Sequence, residues 1–206
     1  QKAINDGLIG DLFYIESFVG GYKKPCSLWH SDVLVSGGAI FDWGAHFIDQ
    51  IVTLISSPIA HISGLNQKRH WHHITNADHS QVVITFADSK QAIFTNSDLA
   101  AARKPKYYAL GTKGALVGNW NSAAGDTPAD LPAIISLIKE DGEVELLAEI
   151  KAEPYAFHKA IADHLLNGAK MAIRAEQSRN VVEIMARAEQ SAASNAIAIE
   201  PELLKL

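Results

Sequence analysis

"SGGAIFDWGAHFIDQIVTLISSP", residues 36–58, decides how the chain is read. The Gly37-Gly38 pair permits a tight entry, and Pro58 keeps the residue before it out of helical angles. Between them apolar side chains recur at three and four, so a helix is expected from about Gly38 to Ser56, with Ser36 near its cap. Phe41, Ala45, Ile48, Val52 and Ile55 form one continuous stripe that should face the core. Asp42, His46 and Asp49 repeat the spacing one position on, roughly 100° round the helix, where a cleft wall would stand. An acid one turn before a histidine can touch the imidazole and favour its protonated form, so such a pair can exchange a proton. The nearby helix N-terminus should favour an ionised Asp42. The same spacing also occurs on solvated helix faces, and the pattern alone leaves that reading open.

Working outward, "DLFYIESFVG" (11–20) is aromatic and β-branched and reads as a first strand, followed by the irregular "YKKPCSLWHSDVLV". After the helix, "IAHISGLNQKR" reads as a strand. From Ser80 a meander follows: "QVVITF", "QAIFTNS", "KYYAL", the turn "GTKG", "ALVGNW" and, beyond a polar Pro-containing stretch, "EVELLAEI". Sequential strands with short turns are expected to pair antiparallel. Two helices close the chain: residues 154–167 with Phe157, Ile161 and Leu165 on one stripe, and residues 175–194 with Val181, Ile184, Met185, Ala188 and Ala192 on another. The expected fold is α+β in one domain, residues 1–206: an open, predominantly antiparallel sheet of about six strands with helices packed on one face. Strands such as "VVITF" are apolar on both sides, so another subunit or domain should cover the other face, and a homo-oligomer through that face is the expectation adopted.

With 206 residues, 48% hydrophobic, the chain can build a substantial core, and a formal charge of −5 with mixed signs offers no basic stripe for nucleic acid and no membrane anchor. Cys26 is the single cysteine and no apolar run approaches the roughly 18 residues of a membrane span, so a reducing, cytoplasmic setting is expected. "QKAINDGLIG" lacks the features of a signal peptide; it reads as the end of a helix closed by Gly7, without an initiating Met, as a fragment of something longer would.

The order "DGLIGDLFYIES", Trp29, "SGGAIFDWGAHFIDQIVTL", "ITFADSKQAIFTNS", "ALGTKGALV" and "YAFHKAIADHLLNG…SRNVVEIMARAEQSAASN" resembles the C-terminal domain of the Gfo/Idh/MocA oxidoreductases across nearly the whole chain. The most specific segment is SGGxxxDxGxHxxD, matched by Ser36, Gly37, Gly38, Asp42, Gly44, His46 and Asp49. The resemblance implies an NAD- or NADP-dependent dehydrogenase acting on a sugar, polyol or cyclitol. By that match His46 is the acid/base residue or a ligand of the reacting hydroxyl, Asp42 orients it and binds a neighbouring hydroxyl, and Asp49 supports the helix or the pocket wall. Trp29 and His30 occupy a place where relatives put an aromatic and a basic residue, and Arg103 lies near a substrate-contacting position; loop packing and solvation are the competing readings. The family's Rossmann domain with its Gly-rich phosphate turn and lysine is missing from this sequence, since "GTKG" is a hairpin turn, so the cofactor would be bound mainly by another domain and this chain alone should be inactive.

Two other readings compete. A stand-alone module of the same fold would dimerise or bind carbohydrate without catalysis. A metal-dependent hydrolase would draw on His70, His72, His73, Asp78 and His79 of "RHWHHITNADH", but histidines are freely tolerated in a loop and no second ligand set accompanies them, so no metal is expected.

Overall fold

In the computed structural model the described residues are 1–121, 132–151, 153–171 and 173–204. A short helix α1 (Lys2–Asn5) precedes strand β1 (Leu12–Gly20), and Gly7 between them takes the left-handed angle (φ 72°) that its place after a helix end implied. A one-turn helix α2 (Val33–Ser36) leads into the long helix α3 (Ala39–Leu54). Strands β2 (Ile59–Gln67), β3 (His79–Phe86), β4 (Gln91–Ser97), β5 (Tyr107–Gly111), β6 (Gly114–Asn119), β7 (Ile134–Lys139) and β8 (Val144–Leu146) follow, then helices α4 (Ala156–Asn167) and α5 (Ala175–Ala193).

The expected α+β architecture is present, an open mixed sheet, mostly antiparallel, with eight strands in the order β2-β3-β4-β1-β5-β6-β7-β8 where about six were expected. β7, "IISLIK", was not anticipated, and "EVELLAEI" pairs only over its first part; the polar stretch before β7 lies mostly outside the described residues. The meander is interrupted once. β1 sits between β4 and β5, parallel to β4 with Ser17 opposite Phe94, and antiparallel to β5. The link from β4 to β5, residues 98–106, is long enough to step across β1, whereas the short turns between β3 and β4, β5 and β6, and β7 and β8 hold those neighbours together.

α3 and α5 pack side by side on one face of the sheet, over a core that includes Ile15, Ile62, Val82, Ile84 and Phe94. The rings of Phe47 on α3 and Phe94 on β4 stack at 5.6 Å. The buried side of α3 follows the stripe expected from its sequence only in part: Ile48 and Ile55 are buried and Phe41 and Val52 are half-buried against the core, but the centre of the face lies elsewhere. That centre consists of Ile40, Gly44, Phe47, Ile48 and Ile51, while Ala45 is exposed. Apolar residues occupy more than one row of this helix, so periodicity could not fix the centre of the face. Gly44 fixes it, since a Cβ there would stand 3.2 Å from Met185 Sδ on α5. α5 meets β2 more closely still: a Cβ on Gly64 would fall 1.9 Å from the Ala188 carbonyl oxygen. The Gly64 N–H donates to Ser191 Oγ at 2.9 Å, and that hydroxyl donates to the Ile197 carbonyl at 2.6 Å. The outer edge of β2 is partly covered by Ile199, paired to Ile62 through two backbone bonds of 2.8 Å.

α4 differs from expectation. None of its residues is buried: Phe157 and Leu165 are exposed and Ile161 is half-buried, so the stripe read from its sequence is not packed into the core. On the sheet's other face Tyr14, Val83, Ile93 and Tyr108 are only half-buried and no described helix covers them, with Tyr14 and Tyr108 meeting edge to face at 6.5 Å. No described helix is long and apolar enough to cross a membrane.

Candidate functional site

A hollow of ≈ 130 Å³, open on one side, lies between the first turn of α3, the loops around residues 25–31 and 74–77, and the C-terminal end of β4. Its polar lining is His30, Ser31, Asp42, Asn76, Asn96 and Asp98, with Cys26, Trp43 and Ile74 among the remainder. Its volume is of the same order as the ~150 Å³ cavity that holds one benzene ring.

Each wall has a local cause. Gly38 precedes α3 with φ 118°, a conformation open to glycine, and a Cβ there would lie 2.6 Å from Glu189 Oε1 on α5. Ser36 Oγ accepts the Gly38 N–H at 3.2 Å, so Ser36 acts on the turn before the helix and Gly38 is the cap. Burial pushes the Glu189 carboxyl up, against donors from Asn66 and the Ile40 N–H. Thr75 and Asn76 lock the opposite loop in place. Thr75 Oγ1 donates to Asp32 Oδ1 at 3.0 Å, and the buried Asn76 amide donates to the His30 carbonyl at 2.5 Å. Asp78 anchors the base of that loop. Burial alone would raise its carboxyl, but the N–H groups of His70, Arg69 and Trp71 and the Lys68 ammonium, 2.9 Å away, hold it down at about 2.

Asp42 and His30 face each other with Oδ2 and Nδ1 3.8 Å apart, and His30 Nε2 lies 3.2 Å from Cys26 Sγ. Burial raises the Asp42 carboxyl above its ordinary value, while His30 and then His46 pull it back. Desolvation in the hollow thus works against the ionised form that the helix N-terminus was expected to favour. Asp98 is displaced further. Burial, then the neighbouring Asp78 carboxylate, push it up to about 6 against Lys68, and Asp42 adds to the rise.

The sequence candidates do not all gather here. Asp42 and His30 line the hollow. His46, one turn beyond Asp42, is exposed outside it, its ring 6.1 Å from that of Trp43. Asp49 is turned to α5, where Oδ1 accepts the Gln177 amide at 3.1 Å. Trp29 is exposed and meets His30 edge to face at 5.5 Å, and Arg103 is exposed with its guanidinium 5.9 Å over the Trp120 ring. Asn96 and Asp98 were not anticipated. The signal for them was present: counting by two from Phe94 puts both on the core-facing side of β4. The histidines of the 70–79 segment disperse, with His73 Nε2 3.1 Å from the Pro25 carbonyl and His79 on β3. Among the described residues no three His, Cys, Asp or Glu side chains come together as a metal site.

Residues 1–117 match the GFO/IDH/MocA C-terminal domain. The chain belongs to this family. A curated relative, scyllo-inositol 2-dehydrogenase (NADP(+)) IolW of Bacillus subtilis, is 22% identical over 208 residues, covering 93% of this chain and 57% of its own length. An NAD-binding protein from Listeria innocua superposes with TM-score 0.77 at 22% identity, over 97% of this chain and 58% of that one. An oxidoreductase from Bacillus cereus does so with TM-score 0.75 at 16% identity, over 100% and 62%. The chain thus spans about three-fifths of the length of the proteins it matches. The GFO/IDH/MocA relatives are NAD(P)-dependent oxidoreductases.

Proposed function

We propose that this chain is the substrate-binding and oligomerisation domain of an NAD(P)-dependent dehydrogenase acting on a hydroxyl of a sugar, polyol or cyclitol. The observation that carries the reading is the hollow itself, in which Asp42, from the family segment, meets His30 beside a row of amide and carboxyl groups. The curated relative's activity on scyllo-inositol points to the same substrate class.

The described residues do not suit a dinucleotide. The hollow is too small for one, and Asp42 and Asp98 would oppose a pyrophosphate. The nicotinamide nucleotide, which supplies the hydride acceptor, therefore belongs to a separate domain in this reading, and this chain alone turns nothing over. The chain's own residues handle the hydroxyl. His46, exposed one turn from Asp42 and outside the hollow, takes the proton of a hydroxyl that the bound ring presents beyond the hollow's open side. Asp42 accepts a hydrogen bond from the neighbouring hydroxyl and holds the ring in register with the imidazole. Asp49, through Gln177, ties that stretch of α3 to α5 and keeps both groups in place. Trp29 and Arg103, which do not line the hollow, are lesser substrate contacts in this reading.

The half-buried sheet face carrying Tyr14, Val83, Ile93 and Tyr108 is the surface on which a second copy would pack. A cytoplasmic location, consistent with the free thiol of Cys26, belongs to the same reading.

The test is turnover in a two-domain protein carrying this chain behind an NAD(P)-binding domain. With scyllo-inositol as substrate, His46→Ala and Asp42→Asn should each lower kcat by about 10²-fold or more. Undiminished turnover in both variants would refute the assignment.

A further inference from the structure

The wall of the hollow opposite Asp42 is built by β4, whose side chains alternate between the two sheet faces. Ala92 and Phe94 are fully buried in the core, and the same row continues into the hollow with Asn96 and Asp98. Asn96 is 9% exposed, yet its side-chain amide has no hydrogen-bond partner among the described residues. With no protein group bonded to it, that amide is left to pair with water or with a guest in the hollow. The Asp98 carboxyl likewise receives no hydrogen bond, although its backbone is fixed on both sides: its N–H donates to the Asp78 carbonyl at 2.8 Å and its carbonyl accepts the Trp71 indole at 3.3 Å. Asn76, on the neighbouring loop, is instead fully engaged with His30 and Ser36. The hollow thus has one wall whose polar groups are spent on structure and one whose polar groups are positioned but unused.

Resting on the function proposed above, we infer that Asn96 and Asp98 are substrate-binding residues that grip adjacent hydroxyls of a six-membered polyol ring, and that the site takes rings bearing no anionic substituent. The amide offers both a donor and an acceptor and the carboxyl accepts, which suits vicinal hydroxyls that donate and accept in turn. No lysine or arginine is among the residues lining the hollow, while Asp42 and Asp98 both are, so a phosphate or carboxylate on the ring would enter against two acids, offset by His30 in the lining and by Lys68 behind Asp98. An ammonium substituent would be welcome there.

The experiment uses the two-domain protein and three probes: scyllo-inositol, an amino-deoxy-inositol and an inositol monophosphate. Asn96→Ala and the isosteric Asp98→Asn should each raise KM for scyllo-inositol about tenfold with kcat within threefold, the split expected of residues that bind without taking part in proton transfer. Asn96→Asp, which keeps the shape, should shift preference toward the amino compound, so a folding defect in Asn96→Ala cannot hide the result. The phosphate ester should be used at least a hundredfold less well than scyllo-inositol. Unchanged KM in the Asn96 and Asp98 variants, alongside lost turnover in Asp42→Asn and His46→Ala, would overturn this inference and leave the dehydrogenase reading standing. Equal use of the phosphate ester would overturn the charge selectivity. Failure of the parent protein to oxidise any of the three would defeat both.

Discussion

α3 and α4 carry apolar residues at the same helical spacing, yet α3 buries Ile40, Phe47, Ile48 and Ile51 against the sheet and α5, whereas α4 buries nothing. The difference lies in what each helix meets. Small residues clear a path for α3 and α5: Gly44 lets Met185 approach and Gly64 lets the α5 backbone reach β2. α4 has Phe157, Leu165 and Leu166 exposed with no such approach to any described element. An amphipathic pattern therefore states which face seeks burial, and a second set of residues elsewhere states what it will be buried against.

Truncating the core should have the largest effect. Ile48 is fully buried, and Ile48→Ala should cost about 2–5 kcal/mol in urea unfolding of this chain. A loss under about 1 kcal/mol would mean that α3 is not docked as described. The site wall sits between the extremes and depends on pH. Asp98 titrates at about 6 when folded, against 3.8 ordinarily, so between those values the folded chain keeps a proton that the unfolded chain has released. Stability is therefore lost as pH rises through that window, and Asp98→Asn should gain on the wild type between pH 4 and pH 7. Equal urea midpoint differences at the two pH values would show that the carboxyl is not desolvated. The smallest effect belongs to α4, where Phe157→Ser with Leu165→Ser should change stability by no more than about 0.5 kcal/mol per site while raising solubility. A loss comparable to Ile48→Ala would show that α4 is packed after all.

The same contrast describes what could be read from the sequence. The site helix was legible because Gly37-Gly38, Asp42, His46 and Pro58 punctuate it, and α5 because its apolar residues fall in a single narrow row. The centre of the buried face of α3 is not legible, because its apolar residues are too many for periodicity to choose among, although Ile48 and Ile55 of the expected stripe are buried. Strand existence was mostly visible, but the insertion of β1 between β4 and β5 was not, since no turn signal joins a strand to partners more than seventy residues away. β7 carries no clear strand signal, because "IISLIK" follows a Pro-containing polar stretch and shows no clean alternation. Asn96 and Asp98 looked like the polar end of a strand, and only the register from Phe94 reveals that they stay on the core side.

The central claim is that Asp42 looks across a hollow at Asn96 and Asp98 and that a polyol ring sits between them. A crystal structure of the two-domain protein with scyllo-inositol tests it directly. The account predicts the ring in the hollow, with one hydroxyl donating to Asp42 and adjacent hydroxyls on Asn96 and Asp98. A ring bound elsewhere, with Asn96 and Asp98 untouched, would contradict it.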